Sequence, residues 1–199
     1  MVGDKLIFLD EHREKVNKIM LDLSFIRPPK KFIICIGGCS GVGKTEIAYL
    51  LRHRLKNESG LGCKIISLDD YYMTSWKNRR TTRKETDNIG CDEINWIEIK
   101  LAIKHFQQDE PFEVQLIDKY TDEVDTLVTD GKSDVLIIEG LYALYIDGYY
   151  KVHINGHYDS TKEFRNQRNK EKQDGFRDYV LQREQECMDI LSNKYNLKI

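Results

Sequence analysis

Eight consecutive residues, Gly38, Cys39, Ser40, Gly41, Val42, Gly43, Lys44 and Thr45, constrain this chain more than any other part of it. They satisfy the pattern GxxxxGK[ST], and they stand where that pattern has physical meaning. Before them runs the short apolar, β-branched segment KFIICIG, and after them a segment with helical spacing. Glycines let successive backbone N–H groups turn inward around phosphate oxygens, and the positive end of the following helix adds to the attraction. In this reading all eight residues form a nucleotide-binding loop, Lys44 reaches the β- and γ-phosphates of ATP, and the Thr45 hydroxyl holds Mg²⁺.

The remaining segments alternate between two periods. From Asp10 to Leu23, Val16, Ile19, Met20 and Leu23 recur every three or four residues, which predicts an amphipathic helix ended by Pro28 and Pro29. A second helix is expected from Lys44 to Lys56, and then a second strand, CKIISL, ending at Asp69 and Asp70. Residues 77–84, KNRRTTRK, read as a basic loop, and Asp92 to Phe106 as a helix capped by Asp92. Residues 112–118 alternate like a half-buried strand that pairs with 126–129 as a hairpin. DVLIIEG is the third core strand, KVHI at 151–154 a shorter fourth, and two charged helices fill 159–172 and 175–194. Strands alternating with helices predict an α/β fold, a parallel sheet with helices on both faces. The expected organisation is a helical extension over 1–30 followed by one domain over 31–199, since two separate cores would each be marginal at this length.

Strand ends locate the candidate chemistry, because open α/β sheets place ligand-facing residues at the carboxyl ends of their strands. Asp69 ends the second strand and is expected to face the γ-phosphate, either as the base that accepts a hydroxyl proton or as a participant in Mg²⁺ coordination. Glu139 ends the third strand immediately before Gly140 and is the expected carboxylate for Mg²⁺ or its water shell.

GGCSGVGKTEIA, SLDDYY and VLIIEGLYAL together resemble the uridine kinase and phosphoribulokinase family. The resemblance implies a P-loop NTPase fold with a helical lid, and a kinase acting on a small molecule with ATP and Mg²⁺. In that family Ser-x-Asp-x-(Phe/Tyr)-Tyr carries the catalytic base, which here falls on Asp69, with Ser67 and Tyr72 beside it. The family's lid arginines resemble EFRNQRNKEKQDGFR, which carries Arg165 and Arg168 over as catalytic residues and Arg177 as a further candidate. The positions that hold a pyrimidine nucleoside depart from the pattern. Asp87 and Asp118 keep the acidic places, but Ile117 stands where a stacking tyrosine is usual, and the nearby histidine is absent. Uridine and cytidine are therefore expected to be poor acceptors, and a smaller polar or anionic metabolite is expected to be oriented by Arg79, Arg80 or Arg83.

Composition narrows the alternatives. A formal charge of −2 gives no general attraction to nucleic acid, so the 77–84 cluster would have to supply any such binding alone. No apolar run approaches a membrane span and the first residues are charged, so the expected location is the cytoplasm. Five cysteines without a CxxC pair read as free thiols. The guanine-reading NKxD is missing, since Asn169-Lys170 and Asn193-Lys194 do not continue it, which argues against a switch GTPase. A regulatory ATPase or a nucleic-acid-associated NTPase remains the competing class, sharing the phosphate loop without needing Asp69 or an acceptor pocket.

Overall fold

A strand without a polar face must be covered on both sides, and FIICIG is such a strand. The computed structural model of the protein describes residues 5–118, 120–163, 165, 174–191 and 195–199. In it β1 (Phe32–Gly37) is buried at every position. Its parallel neighbours are β5 (Val135–Glu139) and β6 (Tyr150–His153). β2 (Cys63–Ser67) pairs with the far side of β5, and the two-residue β7 (Leu197–Lys198) with β6, giving the order β2-β5-β1-β6-β7 in one parallel sheet.

The period-2 alternation of side chains divides the core into two apolar clusters, one on each face of the sheet. Phe32, Ile34 and Ile36 face the helices α1 (Asp10–Ser24) and α2 (Lys44–Ser59), where Val16 and Ile19 meet Ile47 and Leu51. Ile33 and Cys35 face the other way, onto a cluster that includes Phe106 of α4 (Trp96–Gln107) and Met188 of α5 (Gly175–Leu191). The helix read from the first residues is thus built into the same cluster as the helix that follows the phosphate loop.

Three local expectations are corrected. The basic stretch at 77–84 is not a loop but lies within a helix, α3 (Trp76–Thr86), which buries Arg79 and Arg83 four residues apart on one face. Asp92 does not cap α4. Residues Cys91–Glu93 form a 3-10 turn, and the Asn95 side chain accepts the Glu98 N–H at the true N-terminus. The hairpin partner begins earlier than expected, so that β3 (Phe112–Ile117) pairs antiparallel with β4 (Val124–Thr129). Five of the six β4 positions are exposed, which leaves this two-stranded ribbon outside the main sheet. Most of the helix expected at 159–172 lies outside the described residues. The cysteines are free, with Cys35 and Cys39 buried and Cys63, Cys91 and Cys187 half-buried. Among the described residues no helix is long and apolar enough to cross a membrane.

Candidate active site

β1 ends at Gly37 and α2 begins at Lys44, so the glycine-rich loop spans the gap between a central strand and a helix N-terminus. Gly43 sits in the left-handed region at φ 84°, and a Cβ there would lie 2.3 Å from Nε2 of the buried His12 on α1. Two requirements, backbone conformation and space, therefore exclude a side chain at this position. Cys39 and Val42 point down into the apolar cluster and anchor the loop. Ser40, Gly41, Gly43, Lys44 and Thr45 line a cavity with about 960 Å³ of open space, continuous with solvent; Gly38, Cys39 and Val42 do not. The Lys44 ammonium donates to the Cys39 carbonyl at 2.9 Å, which holds its charge over the loop.

Parallel register brings the second and third strand ends together, with Ser67 opposite Glu139. One oxygen of Glu139 accepts from Ser67 Oγ at 2.7 Å and from Thr45 Oγ1 at 3.2 Å. Burial, together with the nearby charge of Asp69, pushes the Glu139 carboxyl up from its ordinary value, while Lys44 opposes the shift. Asp69 and Asp70 leave the 3-10 turn Leu68–Tyr71 in different directions. Asp69 is half-exposed and lines the cavity. Asp70 is buried, accepts the Ile117 N–H at 3.1 Å, and is pushed up by burial to about 6.

The opposite wall is built by α3 and α5. Asp122 from the β3–β4 turn accepts the Trp76 N–H at 2.8 Å, in the manner of a helix cap, and this fixes the start of α3. The Arg79 guanidinium lies 3.5 Å from the Tyr72 ring centroid and 5.1 Å from that of Trp76. Arg83 makes two hydrogen bonds to Glu93, at 2.7 and 2.9 Å, and an ion pair with Glu184 of α5 at 3.2 Å. Arg177 approaches the same Glu184 at 3.8 Å. Arg165 packs against the phosphate loop, with its Cγ 2.9 Å from the place a Gly41 Cβ would take, and bonds to Thr161 and to the Tyr158 carbonyl.

The expected residues are thus sorted by position. Lys44, Thr45, Asp69, Tyr72, Glu139 and Arg165 share the cavity. Arg168 lies outside the described residues. Asp87 and Asp118, expected at the acceptor, do not line the cavity. Asp87 is an exposed αL residue after α3 that accepts from the Tyr179 hydroxyl, and Asp118 accepts the N–H groups of Tyr120 and Thr121 in the hairpin turn. Arg80 points elsewhere, paired to Asp174 at 2.5 Å. Sequence reading missed Glu184 and the burial of Arg79 and Arg83. The i,i+4 spacing of the two arginines was the available signal, while Glu184 carried none.

The family model described as "Phosphoribulokinase / Uridine kinase family" matches residues 33–160. Among solved structures, a protein called a possible uridine kinase from Bacillus stearothermophilus is 20% identical, with a TM-score of 0.59 over 95% of this chain and 99% of that one. A protein provisionally called a fructose transport system kinase from Silicibacter sp. TM1040 is 14% identical, with a TM-score of 0.66 over 92% and 98%. At these identities the likeness establishes the fold, a parallel sheet with helices around a phosphate loop. No curated protein matches the sequence.

Proposed function

The chain belongs to the phosphoribulokinase / uridine kinase family, and on that premise we propose that it transfers the γ-phosphoryl group of ATP to a hydroxyl of a small metabolite. One observation carries the reading: the strand-end carboxylate Asp69 faces the same cavity as Lys44 and Thr45, while its neighbour Asp70 is turned into the protein. The acceptor oxygen forms a bond to the γ-phosphorus as its proton passes to Asp69, and the bond to the bridging oxygen breaks to leave ADP. Lys44 faces the phosphates throughout, and Arg165, already against the loop, adds charge from the lid side.

The donor set beside Lys44 suits Mg²⁺. Glu139 is a buried carboxylate with a raised pKa that, among the described residues, receives the Thr45 and Ser67 hydroxyls, and hard oxygen ligands are what this ion takes. Thr45 and Glu139 would hold it, directly or through water, and it would neutralise charge between the β- and γ-phosphates. Ser67 orients Glu139 from the adjacent strand.

The reading is tested by acceptor-dependent release of ADP. Asp69→Asn is expected to lower kcat by at least about 10²-fold with ATP affinity little changed, in the range of general-base loss, and Asp70→Asn to do much less. ATP turnover that ignores every added hydroxyl compound and is indifferent to Asp69 would instead establish a regulatory ATPase.

A further inference from the structure

We infer that the acceptor carries an anionic oxygen group, a carboxylate or a phosphate, and that Arg79 is the residue that binds it. The inference rests on the kinase reading for the word acceptor, and on the charges of the cavity wall for the rest. Arg83 is matched by Glu93 and Glu184, and Arg177 shares Glu184. Arg165 belongs to the phosphate-loop side by its contact at Gly41. Arg79 is different. It is 8% exposed, it lines the cavity beside Asp69, and no carboxylate among the described residues lies within ion-pair distance of it. Its Nε is buried without a hydrogen-bond partner.

A guanidinium taken out of water without a counter-charge is costly, and stacking on aromatic rings offsets only a part of that cost. Stacking does set direction. With Tyr72 beneath and Trp76 beside it, the planar fork of Arg79 is held by its faces, so its N–H edge is the part left for a ligand. Such an edge grips the two oxygens of a carboxylate or phosphate together. The anion would then be held at Arg79 while the hydroxyl reaches Asp69, a requirement that a neutral nucleoside, polyol or sugar does not meet. The Tyr72 ring lies under the guanidinium, so that face is not free as a platform for a base.

Matched acceptor pairs test this with the full chain. Glycerol is compared with glycerate and glycerol 3-phosphate, ribose with ribonate and ribose 5-phosphate, and uridine is included as a neutral nucleoside. ATP-dependent phosphorylation is measured together with calorimetric binding of each compound in the presence of Mg²⁺ and a non-hydrolysable ATP analogue. The acid and phosphate arms distinguish which anion the site takes. The expected result is a kcat/KM advantage of at least about 10²-fold for one anionic series over its neutral parent, reflecting a charge-assisted bidentate contact. Arg79→Gln, which keeps an N–H donor group but neither the charge nor the fork, should remove most of that advantage, Arg79→Lys should restore part of it, and Arg80→Ala should leave it intact. Neutral acceptors used as well as anionic ones, or a preference indifferent to Arg79, overturns the inference and leaves the kinase reading standing. Anions that bind through Arg79 but are never phosphorylated leave the anion site standing and overturn the kinase reading. Failure of every anionic compound to bind, with the ATP analogue still bound, overturns the inference as well.

Discussion

Asp69 and Asp70 differ by one position along the chain and by almost everything else. A 3-10 turn sends one carboxylate to the cavity and the other under β3, where a backbone N–H receives it. Asp70 moves from an ordinary value of 3.8 to about 6, so the folded protein holds a proton that the unfolded chain has already released between those values. Its contribution to stability is therefore fully present below about pH 4, is lost as pH rises to about 6, and is constant above; the size is about 3 kcal/mol, the shift multiplied by 1.36 kcal/mol per unit. Asp70→Asn should flatten this part of the dependence, as read from urea midpoints between pH 4 and 7. Lys44→Ala should abolish phosphoryl transfer and the thermal stabilisation that ATP confers, while the melting temperature of the ligand-free protein stays close to that of the parent. The motif residues were legible in the sequence because each sits at a strand end or a helix start, where neighbours along the chain decide position. Asp69 was read as the cavity-facing carboxylate from its place at the strand end and again from family resemblance; what turns Asp70 away, the Ile117 N–H, comes from a strand far along the chain.

Helix α3 shows what local reading cannot reach. KNRRTTRK has no apolar periodicity, and a stretch so rich in charge looks like a solvated loop. It folds because its buried face is paid in ion pairs and ring contacts instead of aliphatic packing: Arg83 to Glu93 and Glu184, Arg79 to Tyr72 and Trp76. The partners lie on other elements, so no window of sequence displays the pattern. Arg83→Ala should destabilise the protein by about 3–5 kcal/mol, because it strands two buried carboxylates. Denaturant unfolding checks this, and pairing the mutation with Glu184→Gln should cost less than the sum of the two alone. The same helix explains the fate of Asp118. By ordering the hairpin turn that presents Asp122 to the first turn of α3, it acts at a distance from the cavity in which resemblance had placed it. The core strands, α1 and α2 were readable because their apolar spacing is intact. The start of α4 was not, since both Asp92 and Asn95 are good capping residues and only the Cys91–Glu93 turn decides between them.

At the scale of the molecule, the first helix is structural to the site. α1 closes the cluster under α2 with Val16, Ile19 and Leu23, its His12 packs on Gly43, and Glu46 in the first turn of α2 accepts the Ile7 N–H at 3.3 Å. Ile19, which is fully buried, should cost about 2–5 kcal/mol when replaced by Ala, the range for large-to-small core changes. Thermal melts with and without ATP would read this loss, and would show the mutant regaining stability on nucleotide binding. The position of β1 carries a further consequence, for synthesis. Its two partners, β5 and β6, lie roughly a hundred residues further along the chain, and contacts of that separation form slowly because the intervening loop must first be closed. The nascent polypeptide therefore leaves the ribosome with its phosphate loop already made and no sheet to mount it on. Arrested chains ending before Val135 should be protease-sensitive and indifferent to ATP, and protection should arrive in one late step once residues up to about 154 have emerged.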